Sequence, residues 1–121
     1  MIADQWIEAK TIMGTDRVTL GPVASHSWLQ QPEHLAFQLA RYRAAAALIG
    51  DARNVIELGC GEGVGAGILA RGRNYVGIDT DAEAIEIALG VYEGSPLLPA
   101  FIIWDILGMR AHRPGDAVVA L

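Results

Sequence analysis

The spacing of apolar residues changes character along this chain. From residue 32 to 49, Leu35, Leu39, Tyr42, Ala46 and Ile49 recur at steps of three or four, which lays one apolar stripe along a helix. Pro32 suits the first turn, where its missing N–H would have no helical partner anyway, and Gly50 suits the C-terminal stop. The spacing predicts a helix over 32–49, lying on a sheet with Arg41 and Arg43 toward water. Beyond it, apolar residues come in short runs, at 55–58, 74–78 and 100–104, with a fourth at 117–121. Such runs separated by helical stretches predict an α/β domain, its parallel strands joined by right-handed crossovers. The first crossover predicts a helix over 63–71 with Ile68 and Leu69 inward. The second opens on Thr80-Asp81-Ala82-Glu83, the pattern of a capping box, and continues with Ile85, Ala88 and Leu89 as its apolar face before Gly90. Residues 92–99 form a turn-rich link. Residues 1–31 show no sustained period and carry Gly14, Gly21 and Pro22. They predict an irregular arm with a short helix near 4–12, ahead of a domain over 32–121.

The chemistry collects where the apolar runs end. The first closes on Glu57 and is followed by glycines at every second position, Gly59, Gly61, Gly63, Gly65 and Gly67. Glycine accepts positive φ and puts no Cβ between main chain and ligand, so this loop reads as a cradle for a small molecule. The second run ends on Asp79 and the third on Asp105. With parallel strands all three acids lie along one edge of the sheet, and the carboxyl edge of an open α/β sheet is where ligands bind. An ionised carboxylate offers two acceptor oxygens, enough for Asp79 to take both hydroxyls of a ribose, and Asp105 can accept from an adenine amine.

The ordered set Glu57-Leu58-Gly59-Cys60-Gly61-Glu62-Gly63, Gly77-Ile78-Asp79 and Phe101-Ile102-Ile103-Trp104-Asp105 resembles the class I S-adenosylmethionine-dependent methyltransferases over residues 54–121. The resemblance implies a Rossmann-like parallel sheet of strand order 3-2-1-4, flanked by helices. It sets the glycine loop (Gly59, Cys60, Gly61, Gly63) against the methionine part of the cofactor, Asp79 on the ribose and Asp105 on the adenine, with Thr80 and Ile106 beside them. Glu57 falls near the ammonium and sulfonium charges, which favour an anion. The N terminus of the helix over 63–71 would face the cofactor carboxylate.

The implied activity is methyl transfer to an acceptor, a small molecule or a macromolecule, that the sequence does not identify, and no catalytic residue is assigned. Two alternatives stand beside it. One is a module that holds the cofactor without catalysis of its own. The other is an NAD-type dinucleotide-binding unit, because Gly61-x-Gly63-x-x-Ala66 fits the loose fingerprint and Asp79 follows Gly59 by 20 residues. Spacing does not separate the two cofactors; Glu57 before the glycines, the alternate glycines from Gly59, and Asp105 favour the methyltransferase. The family fold continues with three further strands, so the domain is expected to be truncated after its fourth. That strand would then be an uncovered edge open to strand pairing. A fragment of a longer protein is the favoured account, with completion by a second chain or a half-domain folding alone as the others.

Composition narrows the remainder. The 121 residues are 52% hydrophobic and 19% charged, with a net charge of −5, which fits a folded domain and argues against general affinity for nucleic acid or acidic membranes. No run approaches the ~20 apolar residues of a membrane span, and the first residues lack the basic start of a signal peptide, so a cytoplasmic location is expected. Cys60 is the single cysteine and, with no histidine nearby in sequence, reads as a spacer in the loop rather than a nucleophile. His26, His34 and His112 lack metal-ligand spacing, so no metal is expected. Packing of Trp28 on the long helix is favoured over a lid or acceptor-binding role for His26 and Trp28, and Trp104 reads equally as an adenine neighbour or as core. Asp81 is expected in the first turn of its helix, and Asp116 at the opening of the fourth strand.

Overall fold

The structure, a computed structural model, describes residues 2–14, 18–105 and 117–121. Its elements in chain order are α1 (Ile2–Met13), α2 (Pro22–Gln30), α3 (Pro32–Ile49), β1 (Asn54–Leu58), α4 (Ala66–Leu69), β2 (Asn74–Asp79), α5 (Ala82–Val91), β3 (Ala100–Ile103) and β4 (Ala117–Val119). All strand pairs are parallel, in the order β3-β2-β1-β4. This is the Rossmann-like arrangement expected.

Register decides which side chains share a face. Glu57 lies opposite Gly77 on one side and Val119 on the other, and Gly77 lies opposite Phe101. With Val55 and Tyr75 these residues form the face that joins the core, where Tyr42 and Ala45 of α3, Leu69 of α4, and Ile85 and Ala88 of α5 meet them. The other face carries Ile102 and Val118, which remain 41% and 49% exposed.

The helix over 32–49 has the predicted bounds, with Pro32 in its first turn and Gly50 as its C-cap at φ 57°. Three local expectations change. The helix after β1 is a single turn, Ala66–Leu69, because Gly63 sits at φ +84°, outside helical space. Asp81, not Thr80, caps α5: its Oδ1 accepts from Glu83 N at 3.0 Å and Ala84 N at 3.3 Å. That helix runs through Gly90 to Val91 and leaves Leu89 half exposed, while Ala84, Ile85 and Ala88 turn inward. The arm is also more ordered than its sequence predicts, since α1 and α2 occupy most of it. Every residue from 3 to 14 is exposed. Ile106, His112 and Asp116 lie outside the described residues.

Candidate functional site

The glycine loop after β1 is built from the backbone. Gly59 N and Cys60 N both donate to Ile78 O, at 2.8 and 3.1 Å, tying the loop to the end of β2. Gly59 and Gly61 have φ of +71° and +56°, and a Cβ added at either would meet open space. At Gly63 an added Cβ would instead lie 3.0 Å from both Ala88 Cβ and Phe101 Cζ. The first two glycines therefore keep an open surface, and the third permits the loop to close on the core. Tyr92 Oη donates to Gly63 O at 2.7 Å and holds that closure.

Asp79 stands at the mouth. Its Oδ2 accepts from Gly61 N at 2.8 Å and its Oδ1 from Asp81 N at 2.9 Å. A carboxylate has about four acceptor sites, so roughly two remain for a ligand after the side chain has fixed the loop. Thr80 is exposed beside it.

Glu57 lies below. It is 0% exposed, and its oxygens accept from Tyr42 Oη and Tyr75 Oη, each at 2.5 Å. Burial raises its pKa from the ordinary 4.5, the two tyrosine bonds oppose that rise, and the Asp79 charge adds to it. Desolvation, together with Glu57, also raises the pKa of both phenols. Cys60 is buried at 4% exposure, and desolvation with the charges of Glu57 and Asp79 pushes its thiol up to about 12. A neutral thiol at ordinary pH is no nucleophile, in keeping with a spacer role.

Above the loop is a cavity of about 370 Å³, within the range of roughly 300–1,000 Å³ usual for small-molecule sites. Gly59, Cys60, Gly61 and Asp79 line it, together with Glu62, Asp81 and Glu83. Ala24 and Ser27 of α2 form another wall, and α3 presents His34, Gln38 and Tyr42 at successive turns. Among the described residues that line it, four are acids and none is Lys or Arg.

Of the residues singled out from sequence, the structure thus brings Gly59, Cys60, Gly61 and Asp79 to one hollow. Gly63 lies under it, Glu57 is sealed beneath, and Asp105 is exposed two residues beyond β3. Neither His26 nor Trp28 lines the cavity, and Trp28 is 65% exposed rather than packed. Trp104 is likewise half exposed, not core. Sequence reasoning passed over Glu62, Ser27, His34 and Gln38. The last two were legible as a second stripe, since with Tyr42 they recur every four residues on α3. Among the described residues, no group of three or more His, Cys, Asp or Glu side chains is placed to hold a metal ion.

Four parallel strands in the order β3-β2-β1-β4, with a glycine loop tied to Asp79 at their carboxyl edge, define a Rossmann-like unit, and that edge is where open α/β sheets bind ligands. No family model matches the chain, and no curated protein matches it. Among solved structures it is similar to the bifunctional kinase-methyltransferase WbdD, with 30% identity and a TM-score of 0.45 over 61% of this chain. It is also similar to the plantazolicin methyltransferase BpumL in complex with SAH, with 16% identity and a TM-score of 0.40 over 93% of this chain. The chain spans 17% of the length of the first and 47% of the second. Among the described residues no helix is long and apolar enough to cross a membrane.

Proposed function

We propose that this chain binds S-adenosylmethionine and serves transfer of its methyl group to an acceptor nucleophile. The observation that carries the reading is the charge of the cavity: Glu62, Asp79, Asp81 and Glu83 line it, and among the described lining residues there is no Lys or Arg. S-adenosylmethionine brings a sulfonium and an ammonium against one carboxylate, so acidic walls favour it. A dinucleotide brings a pyrophosphate, which needs N–H donors at a helix N terminus opening on the loop. Here that helix is one turn long, and the acids repel the phosphates.

The residues fit the cofactor. Asp79 keeps acceptor capacity for the ribose hydroxyls, and the open surface at Gly59 and Gly61 admits the amino-acid part without a side chain in the way. In this reading Asp105 and Ile106 attend the adenine, and Thr80 lies at the ribose edge. When bound, the cofactor supplies a methyl group already attached to a good leaving group. The chain's own task is then to hold that group in line with the acceptor and to exclude water. The acceptor approaches across the α2–α3 side, where Ser27, His34 and Gln38 offer polar contacts. Activity as a whole, a cytoplasmic setting and strand pairing along β4 belong to the same proposal.

Isothermal titration of the purified chain with S-adenosylmethionine, its demethylated product and NAD tests it. Saturable binding of the first two, with none of NAD, is expected. Binding of NAD alone would overturn the reading.

A further inference from the structure

α2 is held in an unusual way. Its large apolar side chains, Val23, Trp28 and Leu29, are 69%, 65% and 74% exposed, while the residues it turns inward are the small Ala24 and Ser27. Burial of apolar area is the ordinary force seating a helix, and α2 gives little of it. Its N terminus also lacks a cap of its own: Gly21 at the N-cap has no side-chain oxygen, and Pro22 follows as the first helical residue.

The missing acceptor comes from the glycine loop. Glu62 Oε2 accepts from Val23 N at 3.1 Å, and Glu62 Oε1 accepts from Ala24 N at 2.9 Å. One carboxylate thus satisfies two orphan donors at once, with its charge at the positive end of the helix. The fit is close. A Cβ on Gly21 would stand 2.3 Å from Glu62 Oε2 and 2.6 Å from Ile87 Cγ2, so only glycine lets the carboxylate reach both amides. Ala24 and Ser27, seated by this contact, face the 370 Å³ cavity. On its other side Glu62, with Ala24 and Val64, also borders a second cavity of about 200 Å³ among Leu20, Leu35 and Leu39.

We infer that Glu62 is a positioning residue: it clamps α2 to the glycine loop and so makes the arm helix a wall of the ligand cavity. The inference rests on the cofactor reading for the identity of the ligand, but not for the clamp itself. Because the same loop carries Gly61 and Glu62, a ligand that settles the loop also settles α2, and α2 in turn shields the ligand.

Two variants of the full chain test this, with hydrogen exchange over residues 22–30 and titration with the demethylated cofactor as readouts. Glu62→Ala removes the acceptor. Gly21→Ala keeps the carboxylate and its charge but displaces it. Both should lose amide protection in α2 while α3 and the strands keep theirs, and both should weaken ligand binding about tenfold, because binding must then also order the loosened α2 wall. Glu62→Gln, which retains one carbonyl acceptor, should recover part of both effects. Unchanged protection of α2 in Glu62→Ala would overturn the clamp. Loss of affinity in Glu62→Ala without loss in Gly21→Ala would overturn it too, since the charge alone would then be acting on the ligand. Should the parent chain bind no demethylated cofactor, the cofactor reading falls, and the exchange measurement still decides the clamp.

Discussion

Tyr75→Phe removes one atom and isolates the energetics of the buried acid. The ring stays, with its edge-on contact to Phe101 at 5.9 Å between centroids, so little packing is lost. What goes is the hydroxyl that donates to Glu57 Oε1 at 2.5 Å, leaving a carboxylate oxygen without a donor at a side chain that is 0% exposed. A hydrogen bond to a charged group contributes about 1.5–3 kcal/mol, a factor of roughly 10–150 in the folded-to-unfolded ratio. The loss depends on pH, and its sign follows from linkage. In the unfolded chain Glu57 releases its proton near the ordinary 4.5, while in the folded protein burial holds the proton to higher pH. Over that window the folded state binds more protons, so stability falls as pH rises from 4.5 and levels off once the folded carboxyl ionises. The Tyr75 bond lowers the folded pKa. Without it the window extends upward, so the variant loses more stability at pH ~8 than at pH ~4, where a neutral bond of about 1 kcal/mol is at stake. Urea unfolding followed by far-ultraviolet circular dichroism at the two pH values measures both losses, and the same change in a Glu57→Gln background should show no pH dependence. Equal losses at both pH values, or a loss below about 0.5 kcal/mol at the higher one, would refute the reasoning.

Asp79→Ala removes both the anchor of Gly61 N and the proposed ribose acceptor; affinity for the demethylated cofactor should fall by about 1.5–3 kcal/mol with the fold intact, and unchanged affinity in calorimetry would remove the assignment. Cys60, with its thiol pushed up to about 12 from 9.0, should carry roughly a thousandfold less thiolate than an ordinary cysteine at neutral pH. Iodoacetamide labelling read by mass spectrometry should therefore follow unfolding, and rapid labelling of the native chain would contradict that. Gly63→Ala places a Cβ 3.0 Å from Ala88 and Phe101 at a φ of +84°; thermal unfolding should report a loss of about 1–3 kcal/mol, from left-handed strain and overpacking together.

The strands and α3 were legible because their cause is local: short apolar runs, and a stripe of period 3.6 between Pro32 and Gly50. α2 was not, because its cause is distant. The stretch from Pro22 to Gln30 carries its large apolar residues outward, and the acceptor that caps it comes from Glu62, 38 positions beyond Ala24. No local pattern contains that partner. The shortened α4 shows the reverse error. Ile68 and Leu69 suggested a longer helix, but a backbone at positive φ at Gly63 delays its start, a constraint set by packing against Phe101. Glu57 was visible as an acid at a strand end, while its two donors sit 15 and 18 positions away on different elements. Tyr42 was read as one more apolar residue of the α3 stripe, and its hydroxyl proved to be the more informative half.

In sequence the three acids hold one position, the end of an apolar run; register separates them. Glu57 pairs with Gly77, two residues before Asp79, and Asp79 pairs with Ile103, two residues before Asp105. Within β2 the step from Gly77 to Asp79 rises about 6.6 Å and returns to the same face, while Asp105 lies past the end of β3 at Ile103. The acids therefore occupy successive depths, and depth sets what a carboxylate can do. Asp105, outermost, is exposed and pays little desolvation to meet a ligand. Asp79, at the mouth, divides its oxygens between the loop and the cavity. Glu57 has no path to the cavity, so its charge acts through the groups it orients. Of its two donors only Tyr42 also lines the cavity, and it belongs to the helix that carries His34 and Gln38. The buried acid thus fixes the helix whose polar stripe a bound ligand would meet, which is why its loss should be felt in stability first and in binding only through Tyr42.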